Sequence, residues 1–276
     1  MSRFNVACIQ VNAGTNLQDN LANAGRLICE ARSAGANLVL LPENVAMMQW
    51  GRENLVAHAF AEEWHPGLMG LRELARETGL WLHTGTLHIR LEGGKLANRS
   101  YLLTPNGGIA AAYDKIHLFD VDLGNGEYYH ESATFAAGER AVVAPTPWGK
   151  LGLTICYDLR FPQLFRSLAK SDADFIAVPA AFTETTGRAH WHVLLRARAI
   201  ETGCYIFAPA QCGTHAGGRQ TYGHSLIVSP WGQILADGGV QPGFIMAEID
   251  TDAVAEARGK IPALRHDRTF FAAREG

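Results

Sequence analysis

The sequence predicts an α/β fold in which mixed β-sheets carry helices on their outer faces. Two observations predict it: strand and helix patterns interleave along the chain, and several neighbouring strands are joined by tight turns. A third, the lack of any linker or low-complexity stretch, predicts one domain over residues 1–276. "FNVACIQV" reads as a strand, and residues 17–34 follow as an amphipathic helix with Leu17, Leu21, Ala24, Leu27, Ile28 and Ala31 on one face. "ANLVLLPEN" is the continuous apolar run of a strand buried on both sides. "GLMGLRELARETG" reads as a helix closed by Gly79, and "LWLHTGTLHI" as a strand. "NRSYLLTPNGGIAAAYDK" reads as a hairpin turning at Asn106, Gly107 and Gly108.

The second half repeats this logic. "VVAPTPWGKLGLTICYD" pairs two strands across Pro147, Trp148 and Gly149. "PQLFRSLAKSDA" is a helix with Pro162 in its first turn, "DFIAVPAAF" a buried strand, and "HWHVLLRARAIETG" a helix ending at Gly203. "YIFAPAQC", "GHSLIVSPWGQILADGG" and "FIMAEID" supply the remaining strands, the second turning at Pro230, Trp231 and Gly232. No short repeat occurs, and the two halves share only this order of elements.

Composition narrows the function. Hydrophobic residues make up 47% and charged residues 18% of 276, which suits a globular protein and excludes disorder. The net charge is -3 and no basic run reaches five residues, so neither nucleic acid nor an anionic membrane is expected as a partner. "MSRFNVACIQV" is too short for a secretory leader, no apolar span is long enough to cross a bilayer, and a cytoplasmic location is expected. The five cysteines (Cys8, Cys29, Cys156, Cys204 and Cys212) form no C-x-x-C pair, and most are expected to be buried small hydrophobes.

Cys156, in "GLTICYDLRFP", sits where a strand ends and a helix is about to begin. There the helix N-terminus and nearby N–H groups favour a thiolate. Locally, a core cysteine is an equally good reading. Asp158 and Arg160 favour a nucleophile, because polar residues at a strand's end belong on a functional rim. A thiol nucleophile needs a base and a group to stabilise an oxyanion. Glu43 in "LVLLPENV", at the end of another apolar strand, is the candidate base. Lys115 in "AAYDKIHLFD" is a cation embedded in apolar sequence, and Glu131 in "YYHESATF" a second carboxylate in a loop. A rim carboxylate, a snorkelling lysine and a solvated loop charge are the competing readings of these three.

The segments "LPEN", "YDKIHLFD", "HES" and "TICYDLRFP" resemble, in order, the signature segments of the nitrilase superfamily of carbon-nitrogen hydrolases. The likeness runs from "VACIQV" to "PALRHDR". "TGRAHWHVLLRARAIETGCYIFAPAQCG" and "YGHSLIVSPWGQILA" resemble the Nit-type amidases, the deaminated glutathione branch more than the omega-amidase branch. The resemblance implies a four-layer αββα sandwich of two mixed sheets flanked by helices. It implies a homodimer or higher homo-oligomer joined through helices, with the tail at about residues 260–276 in the contacts. It also implies a Glu43, Lys115 and Cys156 triad supported by Glu131, with no cofactor and no metal. Glu43 would then take the Cys156 proton, while Lys115 and the Tyr157 N–H stabilise the oxyanion at about 3 kcal/mol per donor. Burial would push the Glu43 pKa up and Lys115 would pull it down.

Phe182, Trp191 and Tyr157 are expected near the pocket, with Arg160 and Arg188 as binders of a substrate carboxylate. A surface charge is the competing reading for each arginine. Two rivals arise from the histidines: His117 as the partner of Cys156, and His83 with His88, or His190 with His192, as metal ligands. No cysteine-protease signature accompanies the first, and neither spacing fits a helical H-E-x-x-H pattern. A catalytically silent binding protein on the same fold is the reading from a different class.

Overall fold

In a computed structural model, which describes residues 3–124 and 126–272, the chain runs through its elements in the expected interleaved order. Strand β1 (Arg3–Gln10) leads to α1 (Leu17–Ser33), started by the Asn16 side chain, which accepts from the amides of Gln18 and Asp19. Strand β2 (Leu38–Leu40) precedes α2 (Arg52–Ala57) and α3 (Pro66–Thr78). Pro66 opens α3 and Gly79 closes it in the left-handed conformation. Then come β3 (Trp81–His83), β4 (Leu87–Arg90), β5 (Leu96–Leu103) and β6 (Ile109–Asp114). A short hairpin of β7 (Asp120–Asp122) and β8 (Tyr128–His130) stands over the cavity that Glu43 and Cys156 line.

The second half holds β9 (Val142–Thr146), β10 (Gly149–Leu153), α4 (Pro162–Lys170) and β11 (Phe175–Ala177). A turn, α5 (Glu184–Thr186), and a wide π-helical stretch at Gly187–Trp191 feed directly into α6 (His192–Thr202). The last elements are β12 (Tyr205–Ala208), a small hairpin of β13 (Cys212–Thr214) and β14 (Gln220–Tyr222), β15 (Leu226–Val228), β16 (Ile234–Asp237), β17 (Gly243–Asp250) and α7 (Asp252–Lys260).

Two mixed sheets result. The first has the order β17-β1-β2-β3-β5-β4, with β6 also paired to β5; the second has the order β16-β15-β12-β11-β10-β9. Strands β1, β2 and β3 run parallel at the heart of the first sheet, and β10, β11 and β12 at the heart of the second. Strand β17 comes back from the far end of the chain to pair antiparallel with β1 along its whole length, from Arg3 opposite Asp250 to Gln10 opposite Gly243.

The alternation within β1 explains the layers. Phe4, Val6 and Cys8 join a core shared with Leu151, Leu153, Phe175 and Ile176 of the other sheet. The Phe4 ring meets the Phe175 ring edge-on at 5.4 Å. Ala7 and Ile9 point the other way, against Leu27, Ile28 and Ala31 of α1 and Leu71 of α3. On the second sheet, Phe165 and Leu168 of α4 and Leu195 and Ala199 of α6 complete the packing. The αββα sandwich is thus dictated by a period of two in the strands and one apolar stripe per helix.

Gly85 sets the position of Glu43. Its φ is +64°, and a Cβ there would stand 1.9 Å from the Pro42 carbonyl oxygen. Only glycine lets this loop close against the chain immediately before that carboxylate. The role expected for the tail in contacts between copies concerns in part residues 273–276, which lie outside the described residues. Up to Asp267 the tail packs on its own chain, where Arg166 and Lys170 of α4 both pair with the Asp267 carboxylate.

Candidate active site

Three segments that leave the first and second sheets meet at one cavity of about 330 Å³. Glu43 comes just after β2, Lys115 directly after β6, and Cys156 just after β10. Two of these are ends of parallel core strands, where side chains converge on an open crevice. Cys156 begins a 3-10 turn, Cys156–Arg160, and its own φ of 46° lies in the left-handed region, turning the chain sharply away from the strand.

Lys115 is buried between two carboxylates. Its Nζ lies 3.0 Å from Glu43 Oε1 and 2.9 Å from Glu131 Oε2. Glu131 is fixed in turn by the Phe119 amide, 2.6 Å from Oε2. Asn98 Nδ2 donates to both Glu43 and Glu131, at 3.0 and 3.2 Å. The other Glu43 oxygen accepts the Ala181 amide at 2.9 Å, and the Cys156 thiol adjoins the Glu43 carboxylate. Every buried charge is thus paired within one connected network, the condition under which burying charge is tolerable.

The electrostatics follow from that network. Burial pushes the Glu43 carboxyl up, but the charge and hydrogen bond of Lys115 outweigh it and hold the group below the ordinary carboxylate value. Burial disfavours the Lys115 ammonium too, and Glu131 and Glu43 together overcome this and hold its pKa above the ordinary lysine value. For Cys156, burial and then the adjacent Glu43 carboxylate push the thiol well above its usual value, against the pull of Lys115. The resting site is therefore a neutral thiol beside an ionised carboxylate. This runs against the expectation that a helix start favours a thiolate here: a five-residue 3-10 turn is outweighed by burial and then by the Glu43 carboxylate. The Cys156 amide is already spent on the Pro179 carbonyl at 2.9 Å. The Tyr157 amide comes next along the same turn.

A profile of the Carbon-nitrogen hydrolase family matches residues 5–259. The chain belongs to that family. It is 44% identical to a deaminated glutathione amidase of Synechocystis sp., over 96% of this chain and 98% of that one. Its fold matches the C. elegans NitFhit protein with a TM-score of 0.90 at 35% identity, covering 97% of this chain and 66% of that one. A mutant amidase from Nesterenkonia sp., with acrylamide added to its active-site cysteine, matches with a TM-score of 0.79 at 27% identity, over 94% of this chain and 98% of that one. This carbon-nitrogen hydrolase is accordingly an enzyme of the amidase kind.

Of the residues expected to contact substrate, the hydrolase's cavity is lined by Tyr157 and Phe182. Arg160 lies outside it, over the Phe182 ring at 5.2 Å and bonded to His190 Nδ1 at 3.3 Å. Arg188 points away from the cavity: its side chain is 72% exposed and paired with Glu184. Trp191 is wholly buried behind Phe182, its Nε1 donating to the His224 carbonyl at 2.7 Å. None of these three lines the cavity. The wide turn at Gly187–Trp191 carries Arg188 outward and Trp191 inward, a register that no 3.6-residue periodicity anticipates.

Besides Lys115 and Arg52, the cavity is lined by Arg219, from the loop before β14. Its Nη2 donates to the Ala181 carbonyl at 2.7 Å, its guanidinium covers the Tyr129 ring at 5.3 Å, and its buried Nε has no partner among the described residues. In sequence the residue sits in "GGRQTYG", a loop without periodicity to flag it. Asn98 was equally invisible, inside an ordinary strand pattern. Asp158, read as a rim residue, is wholly buried. Its carboxylate accepts from the Tyr113 hydroxyl (2.7 Å), the Ile155 amide (2.8 Å) and the His117 amide (3.0 Å), tying the Cys156 turn to the Lys115 loop. His117 bonds the same carboxylate through Nδ1 at 2.7 Å and stacks on Phe161, so it is engaged away from Cys156. His83 is buried, and His88 bonds Asn44 at 2.7 Å.

Proposed function

We propose that this chain is a deaminated glutathione amidase that works through a thioester on Cys156. The observation that carries the reading is the buried Glu43, Lys115 and Cys156 cluster at a cavity that also holds Arg219. Its near full-length likeness to a deaminated glutathione amidase supports the substrate.

The steps use the charges described. As the sulfur attacks the amide carbonyl, Glu43 accepts the thiol proton, for which its ionised state fits it. The oxyanion is stabilised by the Lys115 ammonium and the Tyr157 N–H. Glu43 returns the proton to the departing nitrogen, which leaves as a peptide amine and puts the acyl group on sulfur. Glu43 then takes a proton from water as its oxygen attacks the thioester. The carboxylic acid departs and the thiol is restored. Glu131 pairs with Lys115 and keeps it charged throughout.

Arg219 is the group proposed to receive a substrate carboxylate, with Arg52 and His130 nearer the mouth. The deciding measurement is kcat/KM for deaminated glutathione against α-ketoglutaramate. A preference for the first on the order of 100-fold is expected. The reverse preference would make the protein an omega-amidase and leave the triad standing. Arg219→Leu is expected to raise KM for the anionic substrate about 10- to 100-fold, the loss of one charge-assisted hydrogen bond, while kcat changes little. An unchanged KM would remove Arg219 from that role.

Among the described residues no helix is long and apolar enough to cross a membrane, and a cytoplasmic location is part of this proposal. So is a homodimer, for which the exposed Ile200, Trp231 and Ile261 around one groove supply an apolar face. Sedimentation velocity showing a single chain at micromolar concentration would refute the dimer.

A further inference from the structure

Away from the Cys156 cavity, two imidazoles and a carboxylate from three separate segments converge. His192 opens α6, His224 lies in the turn before β15, and Asp237 ends β16. Asp237 Oδ1 stands 2.8 Å from His224 Nδ1, and its Oδ2 stands 3.1 Å from His192 Nε2. The three ligand atoms all lie within 4.8 Å of one another, and the two imidazole centroids are 5.1 Å apart. The sequence pairs His192 with His190, but the fold sends His190 to Arg160 and gives His192 partners from two later segments.

The donors are two imidazole nitrogens and a carboxylate oxygen. Imidazole nitrogen and carboxylate oxygen suit Zn²⁺, Cu²⁺ or Ni²⁺, whereas Ca²⁺ and Mg²⁺ take oxygen donors. Ligand atoms at 2.0–2.2 Å around a tetrahedral ion stand about 3.3 Å from one another. Each imidazole nitrogen already stands close to that distance from an Asp237 oxygen, His224 Nδ1 from Oδ1 and His192 Nε2 from Oδ2.

Two of the ligands are held in place by other contacts. His224 has φ 53°, a left-handed conformation that a non-glycine residue keeps only when its surroundings enforce it. Here its amide donates to the Gly239 carbonyl at 2.6 Å, its carbonyl accepts from Trp191, and its ring stacks on Tyr222 at 4.5 Å. Asp237 Oδ1 accepts the Gly239 amide at 2.9 Å as well. Side-chain exposures of 28%, 23% and 34% for His192, His224 and Asp237 leave a path for an ion to enter.

We infer that His192 Nε2, His224 Nδ1 and one carboxylate oxygen of Asp237 form a binding site for a divalent metal of the zinc class, with water as the fourth ligand. The ion ties the start of α6 to the ends of the β14–β15 turn and β16. The tie lies behind Phe182 of the cavity wall, through Trp191, which packs on Phe182 and bonds the His224 carbonyl. A hydrogen-bonded His-Asp-His group with no affinity for metal has the same apo geometry, and titration separates the two.

The experiment uses the full chain, treated with EDTA and desalted, titrated with Zn²⁺ by calorimetry and with Co²⁺ by visible absorption. Cys156→Ser is run alongside so that the cavity thiol is not counted. The site predicts one equivalent of Zn²⁺ in both proteins and an intense Co²⁺ spectrum of tetrahedral type without thiolate bands. It also predicts a rise of several degrees in melting temperature with Zn²⁺. His192→Gln, which keeps a hydrogen-bond donor towards Asp237, and Asp237→Asn should each weaken binding tenfold or more and abolish the melting shift. Absence of binding to the parent protein, or binding unaltered in both variants, overturns the site. The Co²⁺ spectrum of the parent decides the matter should either variant fail to fold.

Discussion

Cys156→Ala is expected to leave a folded protein whose kcat on its amide substrate is at least about 10⁴-fold lower, the scale on which losing a nucleophile is felt when its partners act as a unit. No cavity of consequence is created, because the thiol already faces the crevice beside Glu43. Steady-state kinetics and intact-mass detection of an acyl adduct on the parent protein check it. Activity within tenfold of the parent would remove Cys156 from the chemistry. Alkylation alone is a poor substitute, since Cys29 is exposed and will also react, whereas the Cys156 thiol is kept neutral. Substrate protection of Cys156 against iodoacetamide is the informative version, and a silent binding protein would show no loss of activity linked to that labelling.

Lys115→Ala is expected to have the second large effect, on stability as well as rate. The variant leaves Glu43 and Glu131 facing each other in a buried site without their shared cation. Breaking a buried pair in this way costs about 3–5 kcal/mol, and the rate should fall about 10²–10³-fold or more with the lost oxyanion donor. The pH dependence should invert. In the parent, Glu43 is held below its unfolded value, so its contribution is present above the unfolded pKa of 4.5 and is lost as pH falls through the folded value. In the variant the Glu43 carboxyl loses the charge that outweighs its burial, so burial raises it, and its contribution is greatest in acid and falls as pH rises through the raised value. Urea melts at pH 5 and pH 8 test this. A variant that loses as much stability at pH 5 as at pH 8 would show that Lys115 is not the group that keeps Glu43 ionised.

The parts of the molecule legible in the sequence are those whose signal is local. The layers came from periodicity, and each strand of the parallel cores carries its apolar run where the sheet buries it. Glu43, Lys115 and Cys156 were legible because each breaks an apolar or extended segment at its end, and because the motifs resembled a family. Arg219 and Asn98 carry no such mark. Arg219 depends on a loop folding over Ala181, and Asn98 on which face of β5 points at Lys115. Arg188 and Trp191 stand off the cavity lining for a local reason, the π-helical turn that resets the face each residue presents. The His192, His224 and Asp237 cluster is a product of tertiary structure alone, since short spacings cannot report ligands from three separate elements.

The pairing of β17 with β1 has a consequence for how the protein is made. The first strand leaves the ribosome with its outer edge open and stays so until residues 243–250 have been synthesised. At about 5–20 residues per second that wait is roughly ten to fifty seconds, during which a largely apolar strand offers unpaired backbone to any neighbour. Closure of the sheet is a long-range event that must come last, so folding should be slow for a protein this size and most vulnerable to aggregation during translation. The yield of soluble protein is then set by translation speed and holdase capacity as much as by the stability of the finished sandwich.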